Sequence, residues 1–131
     1  MEMNRLSLEH ELRSTSKGII WKMIATPEGL QKWLADSVRL AGDNLTFAWG
    51  DSDRHHETRT ARIVEMVQYN RIRWQWEDAD NQEYVEIRME RSDVSGNYSL
   101  YITDYADDDD MEWLENIWTH NFDRLHRRTG V

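Results

Sequence analysis

The sequence predicts an α+β domain: a curved antiparallel sheet around a long C-terminal helix, with two short helices after the first strand. Three observations carry this reading. Apolar and polar residues alternate through most of residues 3–103, the period of strands with one buried face. From Met111 the apolar spacing changes to three and four, which is helical. Between the first alternating run and the rest stand two short helical patterns, each preceded by a capping residue.

In residues 3–13, Leu6, Leu8 and Leu12 share one parity with His10, while Ser7, Glu9 and Glu11 take the other. Ser14–Ser16 can cap a helix over Lys17–Ala25, whose apolar face is Ile20, Trp21 and Ile24. Thr26 then caps a second helix with Pro27 at its first position, where a missing N–H costs nothing. Leu30, Trp33 and Leu34 mark its buried face, and the pattern predicts an end near Ala35 or Asp36. Ser37–Leu40 reads as an edge strand, and Ala41–Asn44 as a turn into the strand of Leu45, Phe47 and Trp49. Gly50–Asp53 turns the chain into a long strand over residues 55–67, with Ala61 and Ile63 inward and an irregularity near Val64–Val67. Tyr69-Asn70 is a turn. Ile72, Trp74 and Trp76 alternate next, then Val85, Ile87 and Met89, then Tyr98, Leu100 and Ile102. The closing helix carries Met111, Leu114, Ile117, Trp118, Phe122 and Leu125 on one face, with Gly130 as its terminator.

A sheet with one apolar face must cover it, and the terminal helix is the element long enough to do so. The two short helices plug one end. At 131 residues the chain has the length of one domain, expected over residues 1–131. It has no cysteine, which fits a reducing, cytoplasmic setting. The first residues are too charged for a secretory signal, and no run is long and apolar enough to cross a bilayer. The net charge of −9 argues against nucleic acid and against anionic membranes as partners. Arg124, Arg127 and Arg128 complement the negative end of the last helix.

The candidate site is the aromatic set on the inward faces: Trp33, Phe47, Trp49, Trp74, Trp76, Trp118 and Phe122, with Met89 and Ile102 beside them. Two arrangements fit, the wall of a small-molecule cavity and a fully packed core. The bulk of these side chains predicts that any cavity is small. Each buried indole N–H needs an acceptor, and His10, Thr58, Thr60, Glu65 and Asn121 are the candidates. Asp107–Asp110 lacks the alternating ligands and central glycine of a calcium loop; it reads as a helix start, one aspartate capping. His55 and His56 are adjacent on a strand and point to opposite faces, so they do not chelate one ion, and neither His120 nor His126 completes a metal site. No nucleophile motif, phosphate loop or dinucleotide fingerprint is present, so no catalytic residue, metal or cofactor is assigned.

The run Thr26-Pro27-Glu28-Gly29-Leu30-Gln31-Lys32-Trp33-Leu34-Ala35-Asp36 resembles a segment of START-like (SRPBCC) proteins, in particular the branch related to the activator of the Hsp90 ATPase. Leu34 stands where that pattern usually has phenylalanine. Phe47–Gly50, Ile72–Trp76, Leu100–Tyr105 and Trp118–Leu125 extend the resemblance over nearly the whole chain. It implies a helix-grip (START-like, Bet v 1-like) fold with an internal cavity. Across that superfamily it leaves three roles open: noncovalent binding of a small hydrophobic ligand, a protein-interaction or co-chaperone-like module with a protein partner or homodimer, and an enzyme acting on a hydrophobic molecule.

Overall fold

A computed structural model describes residues 3–50, 57–80 and 82–131. In chain order the elements are β1 (Asn4–Glu11), α1 (Lys17–Ala25), α2 (Pro27–Gln31), β2 (Ser37–Ala41), β3 (Asn44–Trp49), β4 (Glu57–Val67), β5 (Arg71–Trp76), β6 (Val85–Arg91), β7 (Tyr98–Ala106) and α3 (Met111–Thr129). The strands form one seven-stranded antiparallel sheet, ordered β1-β7-β6-β5-β4-β3-β2, so the two strands flanking the short helices in sequence are its edges. The expected turn at Gly50–Asp53 and the His55-His56 pair fall largely outside the described residues.

Alternation becomes one continuous inward row. Leu8 faces Ile102, Ile102 faces Ile87, and Ile87 faces Ile72. Farther across, Trp74 faces Ile63, Trp76 faces Ala61, and Ala61 faces Leu45. The register shifts between Ile63 and Glu65, within reach of the irregularity expected from the broken pattern. Such a bulge bends its strand and adds twist, which helps an open sheet curl around a helix. At the β2–β3 hairpin Ala41 pairs with Asn44, leaving a two-residue turn whose Gly42 has φ of 62°, a conformation that glycine adopts without strain.

The α1–α2 junction explains its sequence residue by residue. The Thr26 hydroxyl accepts from the Gly29 N–H at 3.0 Å and donates to the Lys22 carbonyl at 2.6 Å, so one side chain serves both helix ends. Pro27 has no N–H for the Met23 carbonyl four residues earlier; the Trp33 indole supplies that donor instead, at 2.9 Å. Gly29 lies so close to α1 that an added Cβ would sit 1.9 Å from the Lys22 carbonyl oxygen. The expected end of α2 near Ala35 or Asp36 is corrected: the helix stops at Gln31, and Trp33 and Leu34 sit in the turn beyond. The pull of the sheet ends it. The Gln31 side chain accepts from the Val38 N–H at 3.1 Å, and the Asp36 N–H donates to the Ala48 carbonyl at 3.0 Å, which draws the chain into β2.

Helix α3 buries Trp118, Asn121, Phe122 and Leu125 against the sheet and ends where Gly130, at φ of 73°, donates to the His126 carbonyl. Its start differs from expectation in one detail. Asp110 holds the N-cap position without a side-chain cap bond, and the Asp107 carboxylate instead accepts from the Asp110 N–H at 2.9 Å. At the other end Arg128 does more than sit in solvent: it donates to the Lys32 carbonyl at 3.3 Å and ties α3 to the end of α2.

Candidate functional site

The space between sheet and helix divides into a closed part and an open part. In the closed part Trp33, Trp118 and Phe122 meet with ring centroids 6.0–6.1 Å apart, and His10 stacks on Phe122 at 4.4 Å. In the open part Phe47 touches Trp74 at 5.5 Å, Trp76 at 5.1 Å and Trp49 at 6.0 Å. Beside these rings lies a cavity of about 410 Å³. Its walls include Phe47, Trp49, Trp74 and Trp76 from the sheet and Ile117 and Trp118 from α3. The volume lies toward the lower end of the range of small-molecule pockets. The α3 backbone lies nearest β1 and β7, at one side of the sheet, while α1 lies against β5 and β6.

Of the residues singled out in the sequence, Phe47, Trp49, Trp74, Trp76 and Trp118 line this cavity. Trp33, Met89, Ile102 and Phe122 do not; all are buried in the core. The indole partners differ from those expected. Trp33 donates to the Met23 carbonyl, Trp49 to the Leu34 carbonyl at 2.9 Å, and Trp118 to a carboxylate oxygen of Asp104 at 2.9 Å. Two of these acceptors are main-chain carbonyls, that of Met23 in α1, left without a backbone donor by Pro27, and that of Leu34 in the turn after α2, a geometry that no residue spacing reveals. Among the described residues the Trp74 indole N–H has no acceptor, although Trp74 is only 1% exposed. A buried donor without a partner is uncommon in folded proteins.

Asp104 is the site residue that pattern reading missed. It stands on β7 at the parity of Leu100 and Ile102, opposite Leu6 of β1, so its carboxylate belongs to the apolar face. A charged residue on the inward parity was the available signal. Besides the Trp118 indole, it accepts from the Tyr105 N–H at 2.8 Å. Burial pushes its carboxyl above the usual range, opposed by the Trp118 and Tyr105 hydrogen bonds and the nearby Arg59, and reinforced by Glu83. Arg59 also lines the cavity; its guanidinium pairs with Asp78 at 2.8 Å and lies 4.1 Å over the Trp76 ring. Tyr84 and Tyr105 meet edge to face at 5.2 Å on the same rim.

The remaining polar candidates lie elsewhere. Thr60 faces Thr46 across the strands at 3.4 Å, and Glu65 pairs with Arg71. Asn121 is buried on α3 and reaches the cavity wall. Asp123 pairs with Arg127 one turn on, at 2.6 Å. The His10 imidazole is held below its ordinary value by burial and by the neighbouring His126. No group of three or more histidine or acidic residues is placed to hold a metal ion among the described residues.

A sheet gripping a long terminal helix, with a mainly apolar space between them, defines a helix-grip domain. The chain belongs to the START-like superfamily, whose domain model matches residues 1–131. A protein of Bacteroides fragilis, with a known solution structure, is 38% identical over 97% of this chain and 91% of its own, with a TM-score of 0.65. The same fold occurs in the Aha1 dimer of Colwellia psychrerythraea, at 14% identity and a TM-score of 0.73 over 97% of this chain and 98% of that one. It recurs in an AHSA1-like protein of Aeromonas hydrophila, at 13% identity and a TM-score of 0.71 over 97% of this chain and 92% of that one. No curated protein matches the chain. No helix among the described residues is long and apolar enough to cross a membrane.

Proposed function

We propose that this domain binds a small, largely apolar molecule noncovalently in the space between β3–β5 and α3, in the cytoplasm. One observation carries the reading: a cavity of about 410 Å³ whose walls are mostly apolar, with eight aromatic residues that include Trp74 and its unpartnered indole donor. Aromatic walls supply apolar contact area, and a few polar atoms orient a guest. An acceptor on the guest, a hydroxyl or carbonyl, would satisfy the Trp74 N–H. Phe47, Trp49, Trp74, Trp76 and Trp118 form the contact surface in this reading, with Trp33, Met89, Ile102 and Phe122 as its packed support.

Native mass spectrometry of the protein purified gently from its own source tests this. The expected result is a reproducible extra mass that is lost on unfolding. A bare protein that also gains no thermal stability from a panel of apolar small molecules would overturn the reading. A second reading, self-association or a protein partner, rests on a different surface: Val64, Met66, Val67 and Tyr69 are each 41–45% exposed around the end of β4. Light scattering across a concentration series separates it, since a monomer at all concentrations removes the homodimer.

A further inference from the structure

The charges around the cavity select among apolar guests. The carboxylates of Glu57, Glu83, Asp104, Asp107 and Asp110 all belong to its lining residues, against the single cation Arg59 among those described. That cation is already engaged, paired with Asp78 and laid on the Trp76 ring. Arg73 lies just outside this lining, over the ring of Tyr84, so among the described lining residues themselves carboxylates outnumber cations. A guest carrying a carboxylate or phosphate would enter against that excess.

The same rim presents aromatic faces. Tyr105 lines it from the sheet side beside Tyr84, whose ring already carries the Arg73 guanidinium at 4.0 Å, and Trp113, 64% exposed in the first turn of α3, lines it from the helix side. Carboxylates next to aromatic faces are the chemistry that holds organic ammonium groups. The carboxylates are not gathered as a metal would require, since no three such groups among the described residues converge on one point. The buried Trp74 donor is an independent sign of a guest.

We infer that the guest is an organic cation: an apolar or aromatic body with a protonated amine held at the rim by carboxylates and ring faces. This rests on the small-molecule reading above and names the class within it. The test is calorimetric titration of the full chain with three probes of equal chain length: decylamine, decanol and decanoate. Decylamine is expected to bind about tenfold tighter than decanol, the scale of one cation–π contact with partial desolvation, and decanoate more weakly than decanol. In the double variant Asp104→Asn, Glu83→Gln the amine should lose that advantage. The variant Asp93→Asn, Glu90→Gln, changed at residues outside the cavity lining, should keep it. Decanoate binding as tightly as decylamine, an amine no better than the alcohol, or equal loss in both double variants would each overturn the inference while leaving an apolar guest intact. Failure of all three probes to bind would instead overturn the small-molecule reading, and this inference with it.

Discussion

Trp33 and Trp74 allow a matched test of the unpartnered donor. Both rings are fully buried, at 0% and 1% exposure, and Trp→Phe removes the same atoms from each. The void left by that truncation costs about 1–2 kcal/mol at either site. The hydrogen-bond terms then have opposite signs. Trp33→Phe strands the Met23 carbonyl, which Pro27 cannot serve, and an unpaired polar group adds about 1–3 kcal/mol. Trp74→Phe removes a donor that is already unpaired, and relief of that penalty offsets the void by about 1–3 kcal/mol. The expected outcome is a loss of about 3 kcal/mol for Trp33→Phe and a change within about 1 kcal/mol of zero for Trp74→Phe.

Urea unfolding of the ligand-free protein, followed by far-ultraviolet circular dichroism, reads both values with an unchanged slope as the check on two-state behaviour. The gap corresponds to roughly 10 °C in melting temperature for a domain of this size. If Trp74→Phe proves as damaging as Trp33→Phe, the Trp74 donor has a partner in solution and the main support for a hydrogen-bonding guest is gone.

Gly29→Ala should destabilise although alanine favours helices by about 1 kcal/mol, because its Cβ would fall 1.9 Å from the Lys22 carbonyl; a melting temperature at or above that of the parent would show that α1 and α2 do not approach so closely. His10 has a lowered pKa, so the folded state binds fewer protons than the unfolded one near the ordinary value of 6.5, and stability should fall as pH drops through and below that value. His10→Phe should flatten that limb of a melting-temperature profile, and an unchanged slope would remove His10 as its cause. Asp104 has the opposite sign: its pKa is raised, the folded state binds protons more tightly, and its burial penalty is present at neutral pH and relieved on acidification. Asp104→Asn should therefore melt at or above the parent at pH 7, with the difference shrinking as pH falls. A large loss at pH 7 would mean that the ionised carboxylate stabilises the fold.

Much of the architecture was legible because the physics is local. The alternation of Leu100 and Ile102, or of Ile72, Trp74 and Trp76, places a strand and its buried face without knowledge of its neighbours. Thr26-Pro27 placed a helix start for the same reason. The end of α2 was not legible, since it depends on Gln31 and Asp36 finding partners in β2 and β3. The indole partners were hidden likewise, since two of the three are main-chain carbonyls, of Met23 in α1 and Leu34 in the turn after α2. The aromatic walls could be named from their parity. The room between them could not, because it depends on where the helices come to rest against the sheet. Asp104 was written in the pattern, as a carboxylate among inward-facing apolar residues, and its meaning emerged only with Trp118 and the cavity beside it.

The two parts of the interior divide the tasks of stability and binding. Around Trp33 three polar contacts tie the elements together: the Met23 carbonyl receives the indole, Thr26 serves two helix ends, and Arg128 clamps α3 to the turn. Ring contacts among Trp33, Trp118, Phe122 and His10 fill that end without a large void. Around Trp74 the opposite holds. A donor lacks an acceptor, a carboxylate is held above its usual range by burial, and about 410 Å³ is left between large side chains. Each of these features costs stability in the empty protein. All of them sit along one cavity, joined to the solid end through Trp118, which meets Trp33 edge to face and donates to Asp104. Side by side along one cavity, they are an arrangement in which a single guest can relieve several penalties at once.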